Sequence, residues 1–133
     1  MPTELHYLVL SVILYLVMIV MQAVAAVLSR KTTISELVGP RDALPPAGLT
    51  PFHGRARRAQ ANMTEGMIMF IPLVFAVLHT GGGSELSALG AALFFFARLA
   101  FAPLYWFGVA WLRTAAWAVS ILGLILLLVE LFT

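Results

Sequence analysis

The chain has 133 residues, of which 62% are hydrophobic and 11% are charged, and its formal net charge is +2. Soluble domains carry about 25% charged residues, so this composition excludes an ordinary soluble globular protein. It also excludes an intrinsically disordered chain, which needs low hydrophobicity and high net charge. No cysteine is present, which excludes disulfides, thiolate metal sites and cysteine nucleophiles.

Four segments of the chain are apolar and long enough to cross a bilayer, which takes about 20 residues per helix. In chain order they cover about residues 7–28, 51–79, 85–108 and 114–132. Thr50 and Pro51 mark the start of the second segment, because threonine caps helices and proline is favoured at the first helical position. The sequence therefore predicts an all-α integral membrane protein, a bundle of four transmembrane helices in a single domain over residues 1–133.

The distribution of cations predicts the orientation in the membrane. Most of the lysines and arginines lie in the loop between the first two spans or in the first turns of the second helix, which project from the membrane, namely Arg30, Lys31, Arg41, Arg55, Arg57 and Arg58. Arg113 lies between the third and fourth predicted spans, and the opposite side carries neither lysine nor arginine. By the positive-inside rule, the long basic loop faces the cytoplasm and both termini face outside.

Several polar residues lie inside the predicted spans, where charge is expensive. Arg58, Asn62 and Glu65 share one face of the second helix, and Arg98 and Tyr105 share a face of the third. An ionised side chain at mid-membrane costs about 2.5–3.5 kcal/mol. We therefore expect Glu65 and Arg98 to pair inside the bundle, leaving other arginines free to bind a ligand that carries carboxylates.

A structural interpretation of the same residues is also open. A buried Glu–Arg pair can have the sole role of holding two helices together. Arg55 and Arg57, close to the cytoplasmic end of the second helix, are interpreted as contacts to lipid phosphates. The histidines His6, His53 and His79 are too far apart in sequence and in predicted topology to share a metal, so no metal site is predicted.

These residues resemble two sequence patterns of the MAPEG family, the membrane-associated proteins in eicosanoid and glutathione metabolism. The second-helix pattern, Arg-Ala-(His/Gln)-x-Asn-x-x-Glu, is similar to Arg58, Ala59, Gln60, Asn62 and Glu65. The third-helix pattern, an Arg followed seven residues later by Tyr and then by another Arg, is similar to Arg98, Tyr105 and Arg113. The resemblance extends over essentially the whole chain.

The resemblance implies a homotrimer of four-helix protomers of the bacterial type, in the inner membrane, with glutathione bound as a co-substrate between neighbouring subunits. Arg113 is the implied catalytic residue, because an arginine beside the glutathione thiol favours the thiolate. The residues implied to bind glutathione are Arg58, Asn62, Glu65, Arg98 and Tyr105. Further implied partners are the lipid bilayer and a hydrophobic small-molecule substrate, and no nucleic acid is expected.

The function implied first is a membrane-bound glutathione-dependent transferase or peroxidase acting on hydrophobic electrophiles or lipid hydroperoxides. The alternative is a noncatalytic member of the family, either a lipid-binding protein or an accessory subunit of a membrane complex, so whether the protein is an enzyme stays open here. A small multidrug exporter is disfavoured. Such exporters place a proton-coupling glutamate in the first span, and Tyr7–Leu28 contains no acidic residue.

Overall fold

The structure is a computed structural model that describes residues 1–133, all of the chain. Its helices are α1 (Thr3–Leu28), α2 (Ile34–Val38), α3 (Pro51–His79), α4 (Glu85–Trp106) and α5 (Ala110–Phe132). Four of them are long and apolar enough to cross a membrane, and the chain forms no strand. The prediction of an all-α membrane protein with four spanning helices is therefore confirmed.

The start of α3 follows from its capping residues. The side-chain oxygen of Thr50 accepts a hydrogen bond from the backbone N–H of His53 at 3.0 Å, and Pro51 occupies the first turn. The short helix α2 was not predicted. It is capped in the same way, because the Thr33 side chain accepts from the backbone N–H of Glu36 at 3.1 Å.

The connection between α4 and α5 is shorter than the sequence predicted. Gly108 adopts a positive φ of 74°, which lets the chain reverse within a few residues. As a result α5 begins at Ala110 rather than near residue 114. Arg113 therefore lies in the first turn of a helix, which holds its backbone in place, and not in a loop.

Two glycines let α4 and α5 pack closely against each other. A Cβ atom added at Gly90 would lie 2.8 Å from the carbonyl oxygen of Gly123, and one added at Gly123 would lie 2.5 Å from that of Gly90. Small residues at such crossings allow helix backbones to approach in membranes, where van der Waals contact and not water drives association. This pair makes α4 and α5 a tightly packed antiparallel hairpin.

The core lies where α1, α3 and α4 meet. Met18, Met63, Phe70 and Phe94 are completely buried, and the rings of Phe70 and Phe94 stack with their centroids 4.0 Å apart. Many large apolar side chains on the outer faces of the four long helices are exposed. Exposed apolar faces of this extent fit an integral membrane protein, whose outer surface meets lipid.

One end of the bundle is fastened by carboxylates, and we call it the acidic end. Glu4, in the first turn of α1, is buried and accepts a hydrogen bond from the hydroxyl of Ser87 on α4. The hydroxyl of Ser84, the N-cap of α4, donates to Glu130 of α5 at 2.6 Å. The N-terminus of α4 is thus tied to α1 and to α5, which is favourable because helix N-termini attract negative charge.

Candidate functional site

The most unusual side chain in the structure is that of Arg98, which is 1% exposed in the middle of the bundle. Its Nη1 donates a hydrogen bond to Oδ1 of Asn62 on α3 at 2.6 Å. Its Cζ lies 4.9 Å from the ring centroid of Phe101 and 5.6 Å from that of Phe94. The guanidinium is therefore held by one neutral amide and two aromatic rings.

The backbone of α3 makes room for this guanidinium at Gly66. A Cβ atom added there would lie 2.9 Å from Nη2 of Arg98 and 3.2 Å from Cζ of Phe94. Any larger residue at this position would displace the arginine or the ring. Sequence reasoning missed Gly66 as a site residue, although a glycine inside a helix costs about 1 kcal/mol relative to alanine and so signals a close contact.

The guanidinium retains unused hydrogen-bonding capacity. Arginine has five N–H donors, and Nε of Arg98 is buried with no acceptor in the structure. Burying a charged donor without a partner is costly. The site is therefore positively charged and under-satisfied, which suits an acidic ligand.

The predicted pairing of Glu65 with Arg98 is wrong. Arg98 donates to Asn62 instead, and Glu65 is exposed on the surface of the chain. The reason is the helical turn of about 100° per residue. Asn62 and Gly66 are four residues apart and both face α4, whereas Glu65 is rotated away from that face. Glu65 still lies near enough for its charge to act on Arg98.

An open pocket of about 300 Å³ lies beside Asn62, and we call it the Asn62 pocket. Its lining residues come from α3, α4 and α5 and are Asn62, Phe101, Tyr105, Arg113, Thr114 and Trp117. Asn62 thus links the buried Arg98 to a space that a ligand can enter. Thr114 and Trp117 were not predicted as site residues. They lie one and four positions after Arg113 on the same helix, and only the early start of α5 brings them to the pocket.

A row of two aromatic rings, those of Phe101 and Tyr105, connects the two arginines of this site. The Phe101 ring lies between Arg98 and Tyr105, whose ring centroid is 5.4 Å from that of Phe101. Cζ of Arg113 lies 4.4 Å from the Tyr105 ring centroid. Cation–π contacts of this kind hold a guanidinium in place while leaving its N–H donors free. Arg113 is therefore positioned at the pocket without being neutralised by a carboxylate.

The remaining predicted residues lie elsewhere. Four of the six, Asn62, Arg98, Tyr105 and Arg113, come together, while Arg58 and Glu65 are exposed and do not line the pocket. The guanidinium of Arg58 folds back along its own helix, with Nη1 3.1 Å from the position of a Cβ atom at Gly54.

Arg55 has a different role from the contact to lipid phosphate that the sequence suggested. Its Nε donates to the carbonyl oxygen of Trp106 at 2.8 Å. That carbonyl belongs to the last residue of α4, where the helix has no further N–H to offer. Arg55 therefore stabilises the C-terminus of α4, next to the turn that leads to Arg113.

Comparison with known proteins gives one result. Residues 7–133 match the family model of the MAPEG family. The match includes nearly all of the chain, with most of α1, all of α3, α4 and α5, and every residue of the Asn62 pocket. A search of curated proteins found no match.

Proposed function

The chain belongs to the MAPEG family, and from this membership and the buried Arg98 we propose that it binds glutathione and uses it as a co-substrate. The family includes glutathione transferases and peroxidases as well as noncatalytic members. The observation that carries the proposal is the guanidinium of Arg98, which is 1% exposed and bonded to a single neutral amide. A buried cation that makes no ion pair within its own chain calls for an anionic partner.

In this proposal the carboxylates of glutathione are bound by arginine and amide donors. Arg98 and Asn62 form the deep part of the site, and Arg113 and Tyr105 lie at its opening. Charge-assisted hydrogen bonds of arginine to carboxylates are among the strongest in proteins, and the low dielectric of a membrane protein strengthens them further.

Arg113 has the role of activating the thiol. A positive charge close to a thiol favours the thiolate, which is the reactive nucleophile. The thiolate then forms a bond to an electrophilic carbon and expels the leaving group with its electron pair. With a hydroperoxide, it attacks the terminal oxygen and breaks the O–O bond, and the alkoxide that leaves takes a proton from water to give an alcohol. The sulfenic acid formed is reduced by a second glutathione to a disulfide and water.

A hydrophobic substrate has a place beside this site. An apolar groove of about 520 Å³ runs between α3 and α5, and its lining residues include Met69, Pro72 and Ile121. Met69 is seven residues from Asn62, and Ile121 is four residues from Trp117, so the groove continues along the same helix faces as the Asn62 pocket. Electrophiles or lipid hydroperoxides dissolved in the bilayer would reach the thiolate along it.

Arg58 and Glu65 belong to the proposed site through a second subunit. Glu65 lies near the middle of the 29-residue α3 and is exposed, and a carboxylate facing lipid at that depth is costly. We propose that a neighbouring copy covers this face in a homotrimer, so that both residues contact glutathione between subunits. In the same proposal the basic loop faces the cytoplasm of a bacterium and both termini face outside.

The noncatalytic alternative is supported by the same groove, which would also hold a lipid chain.

An activity assay distinguishes the two functions. Purified protein is incubated with glutathione and either chlorodinitrobenzene or cumene hydroperoxide. We expect turnover of at least one substrate in the wild type and loss of turnover in Arg113→Ala. Glutathione binding without turnover of either substrate, over a range of pH, would favour the noncatalytic member, and no glutathione binding would contradict the proposal that Arg98 and the Asn62 pocket bind glutathione.

A further inference from the structure

A second cavity, which we call the loop pocket, lies at the basic end of the bundle, opposite the acidic end. It is formed by the last turns of α1, helix α2 with the loop after it, and the first turns of α3. Its volume is about 480 Å³, within the range of about 300–1,000 Å³ that small-molecule sites occupy. It shares no lining residue with the Asn62 pocket.

The loop pocket carries positive charge that nothing in it neutralises. Arg41 and Arg57 line it, and none of its lining residues is acidic. Arg57 is exposed and makes only a long hydrogen bond of 3.5 Å to the Pro45 carbonyl. Arg41 has a positive φ of 65°, which non-glycine residues rarely adopt, and its Nε donates to the Leu37 carbonyl. This contact holds the guanidinium at the end of α2, beside the cavity.

His53 adds a further donor. It is 4% exposed, and its Nδ1 accepts a hydrogen bond from the backbone N–H of Leu49 at 2.9 Å. In the neutral ring the proton is then on Nε2. That N–H has no partner in the protein, and His53 lines the pocket. The side chain of Gln22, from α1, supplies a further polar group.

The opposite wall of the loop pocket is apolar. Ala26 and Val27 of α1, together with Ile34 and Leu37 of α2, form this wall. These residues of α1 belong to a helix that is apolar enough to cross the membrane. The cavity therefore joins a cationic, hydrogen-bonding half to an apolar half at the boundary of the membrane, which is the arrangement that an anionic amphiphile requires.

We propose that the loop pocket binds one anionic phospholipid, with its phosphate between Arg41 and Arg57 and its acyl chain against α1. Two guanidinium groups and the Nε2–H of His53 provide donors for the phosphate oxygens. Basic residues at a membrane surface attract anionic lipid, and here they surround a cavity that can hold a single headgroup. This site is separate from the proposed glutathione site, and the proposal for it does not depend on glutathione binding.

The test is native mass spectrometry of the full-length protein in detergent, titrated with phosphatidylglycerol or phosphatidylcholine of identical acyl chains. We expect the wild type to bind phosphatidylglycerol about tenfold more tightly. The double variant Arg41→Gln/Arg57→Gln should bind both lipids about equally. The control Arg30→Gln/Lys31→Gln removes two cations of the same end that do not line the pocket, and it should keep the preference.

Two further measurements test whether the bound molecule is a phospholipid. Ala23→Leu fills the cavity without changing its charge and should weaken binding of phosphatidylglycerol. Glycerol 3-phosphate should not displace the lipid, and displacement at equal concentration would overturn the assignment to lipid in favour of a soluble phosphate. The proposal is also overturned if the pocket double variant keeps the preference or if the control loses it equally. Glutathione affinity should be unchanged in the pocket variants.

Discussion

The amide oxygen of Asn62 accepts the hydrogen bond that the buried Arg98 donates, with 2.6 Å between Oδ1 and Nη1. A neutral amide satisfies one donor but leaves the positive charge of the guanidinium intact. A carboxylate in the same position would have satisfied the donor and cancelled the charge. The amide therefore leaves a cation that is not neutralised inside an apolar bundle, as the proposed binding of an acidic ligand requires.

Substitutions of Asn62 separate the effect of losing the hydrogen-bond acceptor from the effect of neutralising the charge of Arg98. Asn62→Leu leaves the guanidinium buried without an acceptor, so we expect the free energy of unfolding to fall by about 1–3 kcal/mol. Asn62→Asp restores the acceptor and neutralises Arg98, so the protein should fold but bind glutathione more weakly. Thermal unfolding in detergent and calorimetric titration measure the two quantities. Wild-type glutathione affinity in Asn62→Asp would show that the charge of Arg98 is not used in binding.

Gly66 gives a test of the close contact between α3 and Arg98. Gly66→Ala places a methyl group 2.9 Å from Nη2 of Arg98, so the guanidinium must shift from the position in which it donates to Asn62. Because alanine is favoured over glycine in helices by about 1 kcal/mol, we expect little net change in stability. Glutathione affinity should fall about tenfold, as for one lost charge-assisted bond. The matched control, Gly39→Ala at the end of α2, should leave the affinity unchanged.

Substitution of Glu4 at the acidic end should lower stability without changing glutathione affinity. Glu4→Ala removes the buried carboxylate that accepts from Ser87, and we expect unfolding to become easier by about 1–3 kcal/mol. Glu85→Ala, an exposed carboxylate in the first turn of α4, is the matched control and should cost less than about 1 kcal/mol. Glutathione affinity should be the same in both variants. An equal loss of stability in Glu4→Ala and Glu85→Ala would contradict the conclusion that Glu4 holds α1 and α4 together.

Arg113 predicts a change in the pH profile. Arg113→Ala removes the cation that favours the thiolate, so turnover should fall and its rise with pH should move to more alkaline values. Arg113→Lys keeps the positive charge but loses the planar stacking on Tyr105, and it should retain part of the turnover at neutral pH. Initial rates with chlorodinitrobenzene between pH 6 and about pH 9 measure the shift. An unchanged profile in Arg113→Ala would assign this arginine to binding only.

Much of the fold follows from local signals in the sequence. Apolar segments of membrane-spanning length gave the four helices, and Thr50 with Pro51 placed the start of α3, because capping and proline geometry are decided by a few neighbouring atoms. The early start of α5 was missed, since it depends on the positive φ of Gly108. The five-residue α2 was missed as well, because so short a helix has little apolar periodicity.

The site was less predictable than the fold. The polar stripe on α3 showed which residues share a broad face, but a rotation of about 100° per residue decides that Asn62 contacts Arg98 and that Glu65 does not. The contact of Arg55 with the Trp106 carbonyl joins residues 51 positions apart. No local pattern indicates such a pair, because it depends on where the end of α4 lies against α3.

A site shared between subunits predicts complementation. If Glu65 of one subunit and Arg98 of its neighbour contact the same glutathione, Glu65→Ala and Arg98→Gln protomers should each be defective alone. Co-expressed at equal levels, they should form mixed trimers in which about one third of the sites contain both wild-type residues. Differently tagged protomers, purified through both tags, provide the sample. No recovery of glutathione binding in the mixed protein would contradict the shared site.

The central claim is that Arg98 binds an acidic ligand and does not merely hold α3 and α4 together. Calorimetric titration of glutathione into wild-type protein and into Arg98→Gln, with Arg30→Gln as the control, tests it most directly. We predict saturable binding in the wild type and the control, and a loss of affinity of about tenfold or more in Arg98→Gln. Equal affinity in a folded Arg98→Gln, or no binding to the wild type, would contradict the claim.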